Sequence, residues 1–136
     1  MITEDYVSFE TAKLLKENGF DVYVRSFYDA DDMPAQHNEA LWDWNLNKEN
    51  YRFSAPTLQM AMKWLREVHR IIIVIQPLSF NGAKDFLCDN WVYSVWLGVN
   101  LKIGESLKNQ NTSSTYEEAC EAAIKYCLEN LIYKKR

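Results

Sequence analysis

The order of helix and strand is clearest in residues 54–77, which read SAPTLQMAMKWLREVHRIIIVIQP. Apolar residues recur at helical spacing between positions 58 and 68, which predicts an amphipathic helix. A run of five β-branched residues follows at Ile71–Ile75. Because both alternating faces of this run are apolar, it predicts a central strand, buried on both sides, that Pro77 ends. The segment therefore predicts a domain in which helices cover a sheet.

Three helices are predicted, and each has a start signal. Ser8 can cap a helix over residues 9–18, and Gly19 follows it where a left-handed residue often ends a helix. Ser54 can cap the helix described above, with Pro56 in its first turn. The third helix starts at a capping box formed by residues 115–118.

The strands lie between these helices. Residues 22–28 have a β-favouring composition, whereas residues 29–40 are polar, lack periodicity and predict an exposed loop. Residues 41–53 alternate around a polar turn and predict a hairpin whose apolar face carries Trp42, Trp44 and Leu46. Residues 91–99 predict another strand. This order predicts an α+β fold with three helices packed on one predominantly antiparallel sheet.

The composition is that of one globular domain spanning residues 1–136. Of its 136 residues 48% are apolar, which is enough for a single core. The first residues are acidic and the longest apolar run has five residues, so neither a signal peptide nor a membrane span is expected. The three cysteines Cys88, Cys120 and Cys127 follow no disulfide framework. Reduced thiols and a cytoplasmic location are therefore expected.

The charge is distributed unevenly along the chain. Residues 1–54 hold 11 acidic and 5 basic residues, whereas residues 55–136 hold 8 acidic and 10 basic residues. An acidic surface repels the phosphate backbone of nucleic acids. The N-terminal part of the chain is therefore predicted not to bind nucleic acid.

The sequence predicts no metal site, no cofactor and no catalytic constellation. Residues 29–40 combine carboxylates with His37, but the glycine and glutamate positions of a calcium loop are missing. The four glycines are isolated, which argues against a phosphate-binding loop. An enzyme would have to assemble dispersed residues, for which His69, Glu67 and Cys88 are the candidates.

Two groups of residues are candidates for partner binding. Trp42 and Trp44 are predicted either to form an exposed aromatic patch or to close the core beneath the hairpin. Lys63, Arg66 and Arg70 fall on one side of the second helix and form a basic ridge. Aromatic and arginine side chains are enriched in protein interfaces, and a basic ridge suits an acidic partner protein.

Three segments resemble a family of small uncharacterised proteins found in Bacteroidetes genomes and in their phages and prophages. These are residues 8–21, residues 54–67 with their Ser-Ala-Pro-Thr start, and residues 116–119. The resemblance implies a mobile-element context. It implies no activity, ligand or catalytic residue.

The leading hypothesis is a non-enzymatic accessory protein that binds another macromolecule, namely a protein. It rests on the missing catalytic spacing and on the aromatic content of 14%. One alternative is a small enzyme with a dispersed site. Another is a nucleic-acid-binding module that uses the basic ridge.

Overall fold

The computed structural model describes residues 3–29, 34–46, 52–77, 90–98, 101–105 (backbone only) and 112–132. The helices are α1 (Phe9–Glu17), α2 (Leu58–His69) and α3 (Tyr116–Asn130). The strands are β1 (Val24–Tyr28), β2 (Gln36–Trp42), β3 (Phe53–Ser54), β4 (Ile71–Pro77), β5 (Trp91–Leu97) and β6 (Leu101–Glu105).

The predicted α+β class with three helices and antiparallel pairing is confirmed. The strands are divided between two sheets, however, where one was predicted. Sheet 1 has the order β2-β1-β3 and sheet 2 has the order β4-β5-β6. Each sheet contains strands close in sequence, because pairing of neighbouring segments loses the least chain entropy.

Strand β4 is the second correction. It is an edge strand of sheet 2 and not a central strand, since β5 lies between β4 and β6. Helices α2 and α3 both pack against β4, while Ile72–Ile75 remain half-buried. The apolar run therefore reflects cover by helices, and an apolar run alone does not distinguish this from a central position.

Sheet 1 differs most from the prediction. Strand β2 forms where the end of an exposed loop was predicted, and all seven of its residues are exposed, so no apolar alternation marked it. The hairpin over residues 41–53 is wrong, because β2 and β3 pair with opposite edges of β1. Tyr51 lies outside the described residues. Trp44 leaves the strand and enters the core with 8% of its surface exposed.

The helix starts are set by side-chain caps. The Ser8 hydroxyl accepts a hydrogen bond from the N–H of Thr11, and the Thr115 hydroxyl accepts one from the N–H of Glu118, as predicted. The predicted Ser54 cap of α2 is wrong. Thr57 caps α2 instead, through a 3.1 Å bond from the N–H of Met60. The α1 helix ends before Gly19, whose φ of 87° is left-handed as expected.

Helix α3 lies at the centre of the core. It contacts both other helices and strands β4 and β5. Glu121 Oε1 accepts hydrogen bonds from the N–H of Ser8 at 2.9 Å and from the hydroxyl of Thr11 at 2.6 Å, which fixes α3 against the start of α1. The buried face of α3 is formed by Ala119, Cys120, Ala123, Ile124, Cys127 and Leu128.

Backbone strain at the α2–β4 connection leads to the first prediction. Arg70 has a φ of 60°, which costs a residue with a Cβ atom about 1–2 kcal/mol. Glycine adopts this conformation freely, although its greater flexibility costs about 0.5–1 kcal/mol. We expect Arg70→Gly to raise the free energy of unfolding by about 0.5–1 kcal/mol in urea denaturation.

The matched control is Arg66→Gly, one turn earlier on the exposed side of α2. It should lower the free energy of unfolding by about 1 kcal/mol, because glycine is a poor residue within a helix. Similar losses for both variants would contradict the assignment of strain to Arg70.

Candidate functional site

One pocket on sheet 1 combines apolar walls with polar side chains. We call it the Ser26 pocket; its volume is about 270 Å³. It lies between the N-terminal segment, sheet 1 and the first turn of α2. The lining residues are Glu4, Tyr6, Val24, Arg25, Ser26, Leu41, Ala55, Pro56, Thr57 and Met60.

Backbone hydrogen bonds hold the N-terminal segment over this pocket. The N–H of Val7 donates to the Pro56 carbonyl at 3.1 Å, and the N–H of Leu58 donates to the Asp5 carbonyl at 2.9 Å. The Tyr28 hydroxyl donates to the Val7 carbonyl at 2.6 Å. The segment is therefore attached both to β1 and to the start of α2, so this wall of the pocket is fixed by the fold.

Ser26 and His37 form the polar pair of the pocket region. They are directly opposite each other on β1 and β2, and Ser26 Oγ lies 2.5 Å from His37 Nδ1. Ser26 is 2% exposed, and the His37 ring packs on the Tyr6 ring at a centroid distance of 4.9 Å. A nucleophile and its general base must lie within hydrogen-bond distance of each other, and the Ser26–His37 pair meets this requirement.

The pairing of β1 with β2 is irregular beside this pair. Ser26 is opposite His37 and Val24 is opposite Trp42, so residues 38–41 face the single residue Arg25. This bulge allows Leu41 to line the pocket. Leu41 is also 52% exposed and is therefore available to a partner at the pocket rim.

The two predicted tryptophans have different positions. Trp42 is 49% exposed and packs against the exposed Tyr23 ring at 6.0 Å. Trp44 packs against Phe27 at 4.4 Å, and its Nε1 donates to the Val24 carbonyl at 2.9 Å. Trp44 therefore offers little area to a partner. Its burial decides between the two alternatives that the sequence left open for this residue.

The predicted basic ridge is exposed along α2 and at its end. Lys63, Arg66 and Arg70 are all exposed, whereas Trp64 points into the core and packs on Phe20. Among the described residues, no hydrogen bond, ion pair or ring contact joins this ridge to Trp42. Partner binding by these residues stays a prediction.

The dispersed enzyme candidates do not come together in the described part of the chain. His69 packs edge-on against Trp64 at 4.7 Å, and its Nε2 is buried without a hydrogen-bond partner. Burial lowers the pKa of His69 below its usual value of 6.5. Glu67 is exposed, and Cys88 lies outside the described residues.

The described thiols and carboxylates do not form a metal site. No group of three or more histidine, cysteine, aspartate or glutamate side chains could hold an ion within the ranges given above. Cys120 and Cys127 are free and buried in α3. Burial raises the pKa of Cys120 to about 11 and that of Cys127 to about 12, so both thiols stay protonated near neutral pH.

The chain matches no protein-family model, no curated protein and no solved structure. The resemblance to the Bacteroidetes family therefore stays a prediction. None of the described helices has the length and apolar character needed to cross a membrane.

Sequence reasoning missed the Ser26–His37 pair and the pocket beside it. In the sequence His37 falls in the segment predicted as an acidic loop, and as a base it could be matched only with a cysteine, not with Ser26. The contact forms because β1, in a segment predicted as a strand, pairs with the part of β2 that was predicted as a loop. Ser26 and His37 are eleven positions apart in the chain. A polar serine within an otherwise β-favouring segment was the one available signal, since a polar residue on a buried strand face needs a partner.

The half-buried His69 predicts an acid-sensitive stability. Its folded pKa is below the unfolded value, so the unfolded state binds a proton first as the pH falls. The stability contribution is therefore complete above about pH 6.5 and is lost as the pH falls through the folded pKa. We expect His69→Phe to reduce the loss of unfolding free energy between about pH 7.5 and about pH 5.5.

Urea denaturation at the two pH values measures this difference. The chain has two histidines, so the same measurement on His37→Gln, which leaves His69 in place, is the matched control. The assignment fails if His69→Phe leaves the pH dependence unchanged.

Proposed function

We propose that the chain is a non-enzymatic accessory protein that binds another protein, with the Ser26 pocket receiving an apolar side chain of the partner. One observation carries the proposal. Among the described residues eight large hydrophobic side chains are exposed, and three of them, Tyr6, Leu41 and Met60, line this pocket. Exposed apolar side chains on a monomer are usually scattered singly, whereas binding surfaces often cluster them around one concavity.

Two further exposed aromatic residues extend this surface. Trp42 follows Leu41 in the chain and is opposite Val24, which lines the pocket. Tyr23 precedes Val24 and packs on Trp42. Large aromatic side chains around a pocket supply most of the binding energy in many protein interfaces. The partner surface we propose is therefore Tyr6, Tyr23, Leu41, Trp42 and Met60.

The basic ridge of Lys63, Arg66 and Arg70 remains a second contact candidate for an acidic part of the partner. The acidic N-terminal half disfavours nucleic acid as the partner. The resemblance described above supports a phage or mobile-element context, in which small accessory proteins that act by binding are a reasonable class.

A small enzyme is the second candidate, and the Ser26–His37 contact of 2.5 Å favours it. A serine nucleophile also needs its base to be oriented by a third group. Within the described residues His37 Nε2 has no carboxylate or carbonyl partner, and Ser26 is almost completely buried. Binding is therefore the better supported function. Turnover of a small ester that Ser26→Ala abolishes would favour the enzyme.

The binding proposal is tested at Leu41. A partner captured from host extract by the wild-type chain is purified, and its affinity for variants is measured by calorimetry. We expect Leu41→Lys to weaken binding at least about tenfold, which is about 1.4 kcal/mol, because it places a charge at the rim of an apolar pocket.

Leu46→Lys is the matched control, since Leu46 is 66% exposed but does not line the pocket. It should bind as the wild type does. Equal affinity for all three chains would place the partner elsewhere, and equal loss in both variants would indicate a non-specific effect of charge.

A further inference from the structure

The size of the Ser26 pocket indicates how large a side chain it can hold. An apolar cavity of about 150 Å³ encloses a benzene ring. The Ser26 pocket has a volume of about 270 Å³, so it has room for a side chain with two fused rings. A smaller side chain would leave part of this volume unfilled, and unfilled apolar volume forfeits dispersion contacts. The volume therefore favours tryptophan, which has the largest side chain.

The walls of the pocket suit an aromatic ring. Val24 and Ala55 are buried and apolar, while Tyr6 and Met60 are each 37% exposed and line the same pocket. A tyrosine ring and a methionine sulfur both make favourable contacts with a second aromatic ring. Two side chains of the pocket can therefore contact a ring that enters it.

The polar groups of the pocket differ in whether they already have partners. Ser26 Oγ contacts a histidine ring nitrogen, and the Thr57 hydroxyl accepts a hydrogen bond from an N–H in the first turn of α2. Glu4 and Arg25 are the two charged residues that line the pocket. Within the described part of the chain, neither of these side chains forms an ion pair or a hydrogen bond. They are the lining groups that a bound side chain has to accommodate.

These two charges favour a neutral side chain with a hydrogen-bond donor. A charged side chain in the pocket would meet a like charge as well as an opposite one. A wholly apolar side chain would displace water from the Glu4 carboxylate without replacing the hydrogen bonds that are lost. The indole of tryptophan is neutral and has one N–H donor and no acceptor. It therefore fits both the apolar walls and the carboxylate.

We infer that the side chain received by the Ser26 pocket is a tryptophan of the partner, whose indole N–H donates to the Glu4 carboxylate. This inference rests on the proposed function, since it names the partner residue that enters the pocket. A hydrogen bond to a charged acceptor is stronger than one between neutral groups. Tryptophan is also among the residues that contribute most to binding in protein interfaces. Glu4 thereby determines specificity, whereas Leu41 contributes apolar area at the rim.

Indole and 1-methylindole are the probes that test the inference, because methylation of the ring nitrogen removes the donor. Their binding to the wild-type chain is titrated through the NMR signal of the Met60 methyl group, since Met60 lines the pocket. We expect indole to bind about three- to tenfold more tightly than 1-methylindole. Glu4→Ala should remove this preference by weakening the binding of indole alone.

Glu39→Ala is the matched control, since Glu39 is an exposed glutamate on β2 that does not line the pocket. It should keep the preference for indole. The added methyl group has the same steric effect in every chain, so only the change between the wild type and Glu4→Ala measures the hydrogen bond. Circular dichroism confirms that each variant is folded.

Three results would overturn the inference. They are no binding of indole at about 5 mM, equal affinity of the two probes for the wild type, and a preference that survives in Glu4→Ala. The Leu41→Lys measurement separates this inference from the proposed function. If Leu41→Lys weakens partner binding but indole does not bind, only the tryptophan anchor is wrong. If Leu41→Lys binds the partner as the wild type does, both proposals fail.

Discussion

The rest of the structure depends on the burial of one face of α3. The small side chains Ala119 and Ala123 on this face allow close packing, and the helix contacts α1, α2 and two strands of sheet 2. Helix α1 in turn contacts β3 of sheet 1. Because the two sheets share no strand pair in the described residues, this helix layer is what connects them. The hydrogen bonds from Ser8 and Thr11 to Glu121 hold the start of α1 against α3. They thereby fix the direction of the segment that precedes α1.

That direction creates the Ser26 pocket. The chain before α1 is attached to Pro56, to the start of α2 and, through the Tyr28 hydroxyl, to β1. It covers part of the sheet and leaves a concavity between itself, β1 and β2. The bulge in β2 contributes Leu41 to the rim. The irregular pairing of β1 with β2 therefore lies at the rim of the pocket that we propose for recognition. The Ser26 pocket presents apolar side chains around a few polar groups, which suits an anchoring side chain of a different molecule.

The sequence by itself determined the α+β class, the three helices and the antiparallel pairing, since periodicity is a local property that packing did not override. The caps of α1 and α3 were also predicted, whereas α2 is capped by Thr57 and not by Ser54. The sequence failed where long-range pairing decided the result. The Ile-rich run of β4 reads the same at an edge as in the centre, and the exposed polar β2 has no alternation. Trp42 and Trp44 hold equivalent positions in the alternating pattern of the sequence. Only Trp44 is buried, however, and its Nε1 donates to the Val24 carbonyl. Only the tertiary structure placed Ser26 against His37, because strand register joins residues through space and leaves no periodic mark in the chain.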